Sequence, residues 1–144
     1  MAGRKARSVG RTRVRVRYPE TDHMGVVHHM HYLAWFEVGR TELMREQGRS
    51  YASLEEDGIF MPVIEASCRY LAPARYDEEI EVETRVERAS RVKVEFSYRV
   101  MRPGDGRLLA TGRTVHAATD ASGAPRRMSA EMAASILPSE GSRE

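Results

Sequence analysis

The sequence predicts an α+β fold in which an antiparallel five-stranded sheet is wrapped around one long central helix. The longest run of apolar residues with a helical period lies between residues 31 and 48. One segment before it and four after it alternate apolar and polar residues, as half-buried strands do. Short turn sequences join the later strands, which favours antiparallel neighbours. Such a sheet must bury the helix on one of its faces.

Length and charge indicate one folded domain with polar ends. At 144 residues the chain has enough volume for one core but not for two. The formal net charge of +2 is unevenly distributed, because segment 1–17 carries seven basic residues and no acidic one. We expect a basic flexible tail at 1–12, the folded domain at 13–120, and a C-terminal extension with a short helix at 121–144.

Composition also bounds the partners and the compartment. The basic tail has no interleaved aromatic residues and no recognisable binding module, so nucleic-acid binding is not predicted. No stretch approaches the length of a membrane span, and the N-terminus lacks the apolar core of a signal peptide. A single cysteine, Cys68, excludes an intrachain disulfide and suits a reducing compartment. These features predict a cytoplasmic protein with no membrane partner.

The first strand and the long helix can be followed along the chain. From Arg13 to Tyr18 the apolar side chains are predicted to face one side and the arginines the other. Glycine costs a helix about 1 kcal/mol relative to alanine, so Gly39 on the apolar stripe is expected to admit a closely packed sheet. Gly48 is the expected C-cap. The stripe consists of Tyr32, Phe36, Gly39 and Leu43, flanked by Trp35.

After the helix the pattern becomes mostly extended. Pro62 near the start of the next strand indicates an edge or a bulge, and Ser129 is the expected N-cap of a terminal helix. The predicted elements are a short helix at 51–56, strands at 59–71, 79–87, 92–100 and 108–119, and a helix at 129–137.

The candidate catalytic group lies just ahead of the long helix. Asp22 follows Pro19 and a short polar loop, so its carboxylate stands near the positive end of the helix macrodipole. Gly25 supplies the tight turn between the acid and the helix, which a residue free at positive φ makes without strain. In an arbitrary protein an aspartate at this position is usually a cap or turn residue.

Three motifs around this acid resemble those of a known family. They read Y-x-E-T-D-x-x-G-V-V-x-H-x-x-Y-L at 18–33, F-E-x-x-R-T-E at 36–42 and Y-x-x-P-A-x-Y-D-x-x-I-x-V-x-T at 70–84. Together they closely resemble the signature of the 4-hydroxybenzoyl-CoA thioesterase family, in its broad bacterial acyl-CoA thioesterase branch. The resemblance spans about residues 14–119 and leaves out both ends of the chain.

The resemblance implies the hot-dog fold and a specific chemistry. The expected assembly is a homodimer with active sites between subunits, often paired into a tetramer as a dimer of dimers. The expected activity is hydrolysis of an acyl-CoA to a free acid and CoA, without a metal or a cofactor. The resemblance places the oxyanion donor at the backbone of His29.

The residues are compatible with this chemistry. A thiolate is a fairly stable leaving group because thiols have a pKa near ~8.5, so one carboxylate and an oxyanion site are sufficient. Asp22 either attacks the carbonyl or takes a proton from water, and the sequence leaves both routes open. The expected substrate-binding residues are Gly25, Val26, Val27 and Met61 for the acyl group, and Arg91 near a hairpin turn for the phosphates.

The histidines and charged residues of this segment allow other roles, and the fold allows other functions. His23, His28, His29 and His31 crowd one segment, but two residues apart their rings do not converge easily on a metal. The His29 side chain is a second catalytic candidate, either as a substrate contact or as a partner of Asp22. Glu37 and Arg40 are expected to form a helix ion pair. A hot-dog dehydratase acting on a hydroxyacyl thioester, and a non-catalytic acyl-ligand binding protein, are the alternative functions.

Overall fold

A computed structural model describes residues 9–136 and shows one sheet packed against one long helix. All neighbouring strands are antiparallel, in the order β1-β3-β4-β5-β2. The predicted α+β class and the five-stranded antiparallel sheet are confirmed. The elements are β1 (Val9–Arg15), a 3-10 turn (Tyr18–Glu20), α1 (His31–Glu46), α2 (Tyr51–Glu56), β2 (Val63–Tyr70), β3 (Glu79–Ala89), β4 (Lys93–Arg102), β5 (Arg107–Ala117) and α3 (Ala130–Ile136).

The apolar stripe of α1 faces the sheet, as the sequence predicts. A Cβ atom at Gly39 would lie 2.3 Å from Thr84 Oγ1 and 2.9 Å from Val82 Cγ1 on β3. The Phe36 ring stacks on the Tyr98 ring with centroids 4.2 Å apart. Glycine at position 39 is therefore what lets the helix lie against β3, which confirms the predicted close approach. The other buried members of the stripe are Tyr32, Trp35 and Leu43.

The start of the chain departs from the sequence prediction in two places. Strand β1 begins at Val9, so residues 9–12, which were expected in the tail, pair with β3. The strand then ends at Arg15, because Pro19 helps to close a 3-10 turn in which Tyr18 is 73% exposed. The prediction that Tyr18 faces the core is wrong. Residues 1–8 of the expected tail lie outside the described part of the chain.

The ends of the helices follow the predicted chemistry. Gly48 has φ +82°, and its N–H donates to the Arg45 carbonyl while the Arg49 N–H donates to the Met44 carbonyl. This pattern is a Schellman cap. At the other end of the chain, the Ser129 hydroxyl oxygen accepts the Met132 N–H at 3.1 Å and caps α3, as predicted.

The described residues of the predicted C-terminal extension, 121–136, include two that are buried in the core. Met128 and Ile136 are fully buried. The Gln47 side chain at the end of α1 donates to the Ile136 carbonyl at 2.9 Å. Helix α3 therefore closes the core at the C-terminal end of α1, away from the acid loop.

Candidate active site

Asp22 lies in a tight loop between the 3-10 turn and α1. Its Oδ1 accepts the Met24 N–H at 2.8 Å and the Val26 N–H at 3.2 Å. The Gly25 N–H donates to the Asp22 carbonyl at 3.0 Å, and Gly25 has φ +80°. The predicted role of Gly25 as a turn residue is confirmed, because this conformation would strain any residue with a side chain.

The loop also sets the charge of Asp22. The two backbone N–H bonds, from Met24 and Val26, hold the pKa of Asp22 below its ordinary value. The carboxylate is therefore ionised at neutral pH. Because both N–H groups bond Oδ1, Oδ2 is without a hydrogen-bond donor among the described residues and stays available for chemistry.

A buried glutamate fastens the acid loop to the helix. Glu20 is 5% exposed, and its carboxylate accepts the Arg17 N–H at 2.8 Å and the Trp35 Nε1–H at 3.3 Å. Its main-chain carbonyl accepts the His28 N–H at 2.9 Å. Sequence reasoning missed this role, although a tryptophan on the inner face of a helix signals the need for an acceptor.

The first turn before α1 presents a free backbone donor. The His29 N–H has no acceptor within residues 9–136, whereas the neighbouring Met30 N–H donates to His28 Nδ1 at 3.3 Å. The His28 and His29 rings stack with centroids 4.3 Å apart. The positive end of the macrodipole and this N–H together favour a negatively charged oxygen at this position.

These groups line one open cleft of about 410 Å³. Of the predicted site residues, Asp22, Val26, Val27 and His29 lie on its wall, and Gly25 shapes the loop behind it. The opposite wall is formed by residues 70–73 at the end of β2, and Tyr32 also lines the cleft. Sequence reasoning used Tyr70 and Pro73 only as motif positions and did not place them at the site.

Two predicted site residues lie elsewhere in the single chain. Met61 precedes β2, at the opposite end of that strand from Tyr70, and packs against the core. Arg91 lies in the β3–β4 turn, where its Nε donates to the Met128 carbonyl at 2.8 Å. Neither residue lines the cleft with Asp22, so their assignment to the site requires a second copy of the chain.

The expected Glu37–Arg40 ion pair is absent from the described residues, and that prediction is wrong. Arg40 is directed toward the sheet, where Nη1 donates to the Tyr98 hydroxyl at 3.5 Å. Tyr98 and Thr114 hydroxyls lie 2.6 Å apart, and Thr114 lies 2.9 Å from His116 Nε2. Arg40 thus begins a buried polar chain, whereas Glu37 is exposed.

The hydrogen bonds that connect Arg40 to His116 all run in one direction. His116 Nδ1 must donate to the Met61 carbonyl at 3.1 Å, because a carbonyl oxygen only accepts. Nε2 then accepts from Thr114, whose oxygen accepts from Tyr98. Burial lowers the pKa of His116 to about 4, so the ring is neutral.

The grouping of potential metal ligands and the state of Cys68 bear on two other kinds of chemistry. Between residues 9 and 136, no three His, Cys, Asp or Glu side chains come together in a way that could hold a metal ion. Cys68 lies half-buried in β2, and burial raises the pKa of its thiol. A raised pKa opposes the thiolate that a nucleophilic cysteine needs.

Among residues 9–136, none of the helices has both the length and the apolar content of a membrane span.

Comparison with known proteins places the chain in a family. Residues 16–136 match the model of the thioesterase-like superfamily. YneP of Bacillus subtilis is 36% identical over 112 residues, covering 78% of this chain and 80% of YneP. YbgC of Escherichia coli O157:H7, an acyl-CoA thioester hydrolase, is 34% identical over 88 residues, covering 61% of this chain and 66% of YbgC.

A solved structure extends the similarity to three dimensions. DHNA-CoA thioesterase from Staphylococcus aureus is 35% identical and superimposes with a TM-score of 0.78, covering 83% of this chain and 80% of that protein. The expected hot-dog arrangement of sheet and central helix is thereby confirmed. Because the family match covers most of the described chain and a relative of known structure shares its fold, the protein belongs to the thioesterase-like superfamily.

Proposed function

We propose that the protein hydrolyses an acyl-CoA thioester to a free acid and CoA. One observation supports this most strongly: an ionised carboxylate, Asp22, lines the same cleft as the His29 N–H, a backbone donor with no acceptor among the described residues. The activities named for YbgC and for the staphylococcal DHNA-CoA thioesterase support the same reaction class.

In the proposed reaction the thioester carbonyl oxygen lies against the His29 N–H. In the nucleophilic route, Asp22 Oδ2 attacks the carbonyl carbon, and the tetrahedral oxyanion collapses with loss of the CoA thiolate. Water then cleaves the mixed anhydride, which releases the acid and restores the carboxylate. In the general-base route, Asp22 takes a proton from water as the water attacks; the thiolate then leaves and takes that proton, which restores the carboxylate.

We also propose that the His29 side chain contacts the substrate. Its ring is exposed, stacks on His28 and lies edge-on to Tyr70 with centroids 6.0 Å apart. In this position it can contact the thioester or the pantetheine arm at the mouth of the cleft. The test is His29→Ala: a change in KM alone assigns the ring to substrate contact, because the backbone donor is retained.

We also propose that the active unit is a homodimer formed through β2. Strand β2 is an edge of the sheet, and it exposes Val63, Ile64 and Tyr70 at 45%, 55% and 46%. The other edge, β1, presents arginines, which discourage strand pairing. This edge has no further strand beside it among the described residues and exposes apolar side chains at both of its ends, so it is suited to a second copy of the same strand.

Such a dimer would complete the cleft. If two β2 strands pair antiparallel about a two-fold axis, the start of one strand lies beside the end of the other. The partner's Met61 then approaches Tyr70, and the partner's Arg91 comes to the same side of the molecule. Light scattering at the assay concentration tests the proposed dimer, and an active monomer would contradict it. The measured mass also distinguishes a dimer from the tetramer that the resemblance implies.

The acyl group would then lie between Val26 and Val27 of one subunit and the partner's Met61. A wall of valine and methionine is adaptable and discriminates poorly, since one methylene is worth only about 1–3 kcal/mol. We therefore propose broad selectivity among acyl thioesters. Met61→Trp should shift the kcat/KM profile of a C2 to C16 ladder toward shorter chains, whereas a purely structural Met61 would change only the melting temperature.

A further inference from the structure

Tyr70 joins the edge strand to the turn that carries the proposed oxyanion donor. It is the last residue of β2, and its hydroxyl donates to the main-chain carbonyl of His29 at 3.0 Å. Its ring meets the Tyr32 ring edge-on, with centroids 5.1 Å apart. One side chain thus links the two walls of the cleft.

The accepting carbonyl belongs to His29, the residue whose own N–H has no acceptor in the described part of the chain. The His29 carbonyl also accepts the Tyr32 N–H, but at 3.3 Å, which is a long bond. Although Tyr70 is 46% exposed, desolvation raises the pKa of its hydroxyl to about 12, so the hydroxyl keeps its proton and can donate at any physiological pH. The Tyr70 bond is therefore the shorter of the two restraints on the His29 carbonyl.

We propose that Tyr70 is a positioning residue that aims the His29 N–H at the developing oxyanion. The inference rests on the proposed thioesterase function and adds a residue to it. Donors to an oxyanion act by being held in place before the charge develops, so small displacements reduce their effect. The carbonyl carbon and the amide nitrogen of His29 are bonded to the same Cα. Holding the carbonyl in place therefore restricts the backbone rotations that would also move the N–H.

The structure offers a matched pair of substitutions. Tyr70→Phe keeps the ring contacts with Tyr32 and His29 and removes only the hydroxyl. Tyr76→Phe is the control, since Tyr76 is 54% exposed near the same loop and its hydroxyl has no hydrogen-bond partner among the described residues. Melting curves recorded for both variants exclude an effect through folding.

A positioning role predicts a specific kinetic signature. In Tyr70→Phe, kcat should fall about 5- to 30-fold, less than the ~10²- to 10³-fold expected for loss of a whole donor, while KM changes by less than about twofold. Amide hydrogen exchange at Tyr32, whose N–H donates to the same His29 carbonyl, should quicken in Tyr70→Phe. Tyr76→Phe should match the wild type in both measurements.

The outcomes separate this inference from the function on which it rests. An unchanged kcat in Tyr70→Phe, or a raised KM with an unchanged kcat, overturns the positioning role and leaves the thioesterase proposal intact. Failure of the wild-type protein to release thiol from any acyl-CoA overturns the proposed function itself.

Discussion

Replacing Asp22 with asparagine removes the negative charge from the cleft but keeps the loop that holds it. Asparagine retains an Oδ1 that can accept the N–H groups of Met24 and Val26. In the wild type these two nitrogens lie 2.8 and 3.2 Å from Oδ1 of Asp22. It also caps and turns nearly as well as aspartate. What is lost is the anionic Oδ2, the atom that the proposed reaction requires for attack on the thioester or for activation of water.

The chain contains a close copy of this loop away from the cleft, and it serves as the control. Asp120 Oδ1 accepts the Ser122 N–H at 2.8 Å and the Ala124 N–H at 3.0 Å, and Gly123 has φ +92°. Hydrogen bonds from Ser122 and Ala124 likewise lower the pKa of Asp120. The backbone turn is therefore closely similar at the two aspartates, although the Ser122 hydroxyl also donates to Asp120 Oδ1, and of the two only Asp22 lines the cleft with His29.

The expected result is a large difference between two chemically identical substitutions. Asp22→Asn should lower kcat/KM for an acyl-CoA by ~10²- to 10⁴-fold, and Asp120→Asn should leave it within about twofold. Both variants should melt within about 3 °C of the wild type, because both turns keep their acceptors. The assay is release of CoA thiol, measured beside a melting curve. Wild-type turnover by folded Asp22→Asn, or an equal loss in Asp120→Asn, would refute the assignment.

Three further predictions concern the core and the phosphate end of the substrate. His116 has a folded-state pKa of about 4, below its ordinary value of 6.5, so the free energy of unfolding should fall by roughly 3 kcal/mol as pH drops from 6.5 to 4. Urea titrations of the wild type and of His116→Asn test this. The variant should be less stable at pH 7, and its free energy of unfolding should change little with pH above about 4.5. Gly39→Ala should destabilise the protein by about 1–3 kcal/mol because its Cβ would lie 2.3 Å from Thr84 Oγ1; a more stable variant in denaturant titration would mean that α1 is free to move away from β3. Arg91→Gln should raise KM for acyl-CoA but not for the matching N-acetylcysteamine thioester, which lacks phosphates; an equal change for both substrates would remove Arg91 from phosphate binding.

Local patterns predicted those parts of the structure that depend on neighbours in sequence. The buried stripe of α1, the close approach at Gly39 and the turn at Gly25 all follow from periodicity or from backbone freedom within a few residues. The start of β1 did not follow, because its exposed arginines are paired with glutamates of β3 such as Glu83, far along the chain. A basic segment of this kind looks like a solvated tail until its partner strand is known.

In the candidate site too, residues close in sequence could be predicted together, whereas contacts between distant residues could not. Asp22 and the start of α1 are adjacent in sequence and were found together. Glu20 and Tyr70 act on partners 15 and 41 residues away, Trp35 and His29, so only the folded chain shows their contacts.

One assay decides whether the protein cleaves thioesters. The purified protein is incubated with a panel of aliphatic and aromatic acyl-CoAs, and free thiol and the acid product are measured together. We expect thiol and acid to appear in equal amounts with at least one substrate, and the rate to be lost in Asp22→Asn. A new double bond without thiol would indicate a dehydratase, and tight binding without any product would indicate an acyl-ligand binding protein; either result would contradict the account.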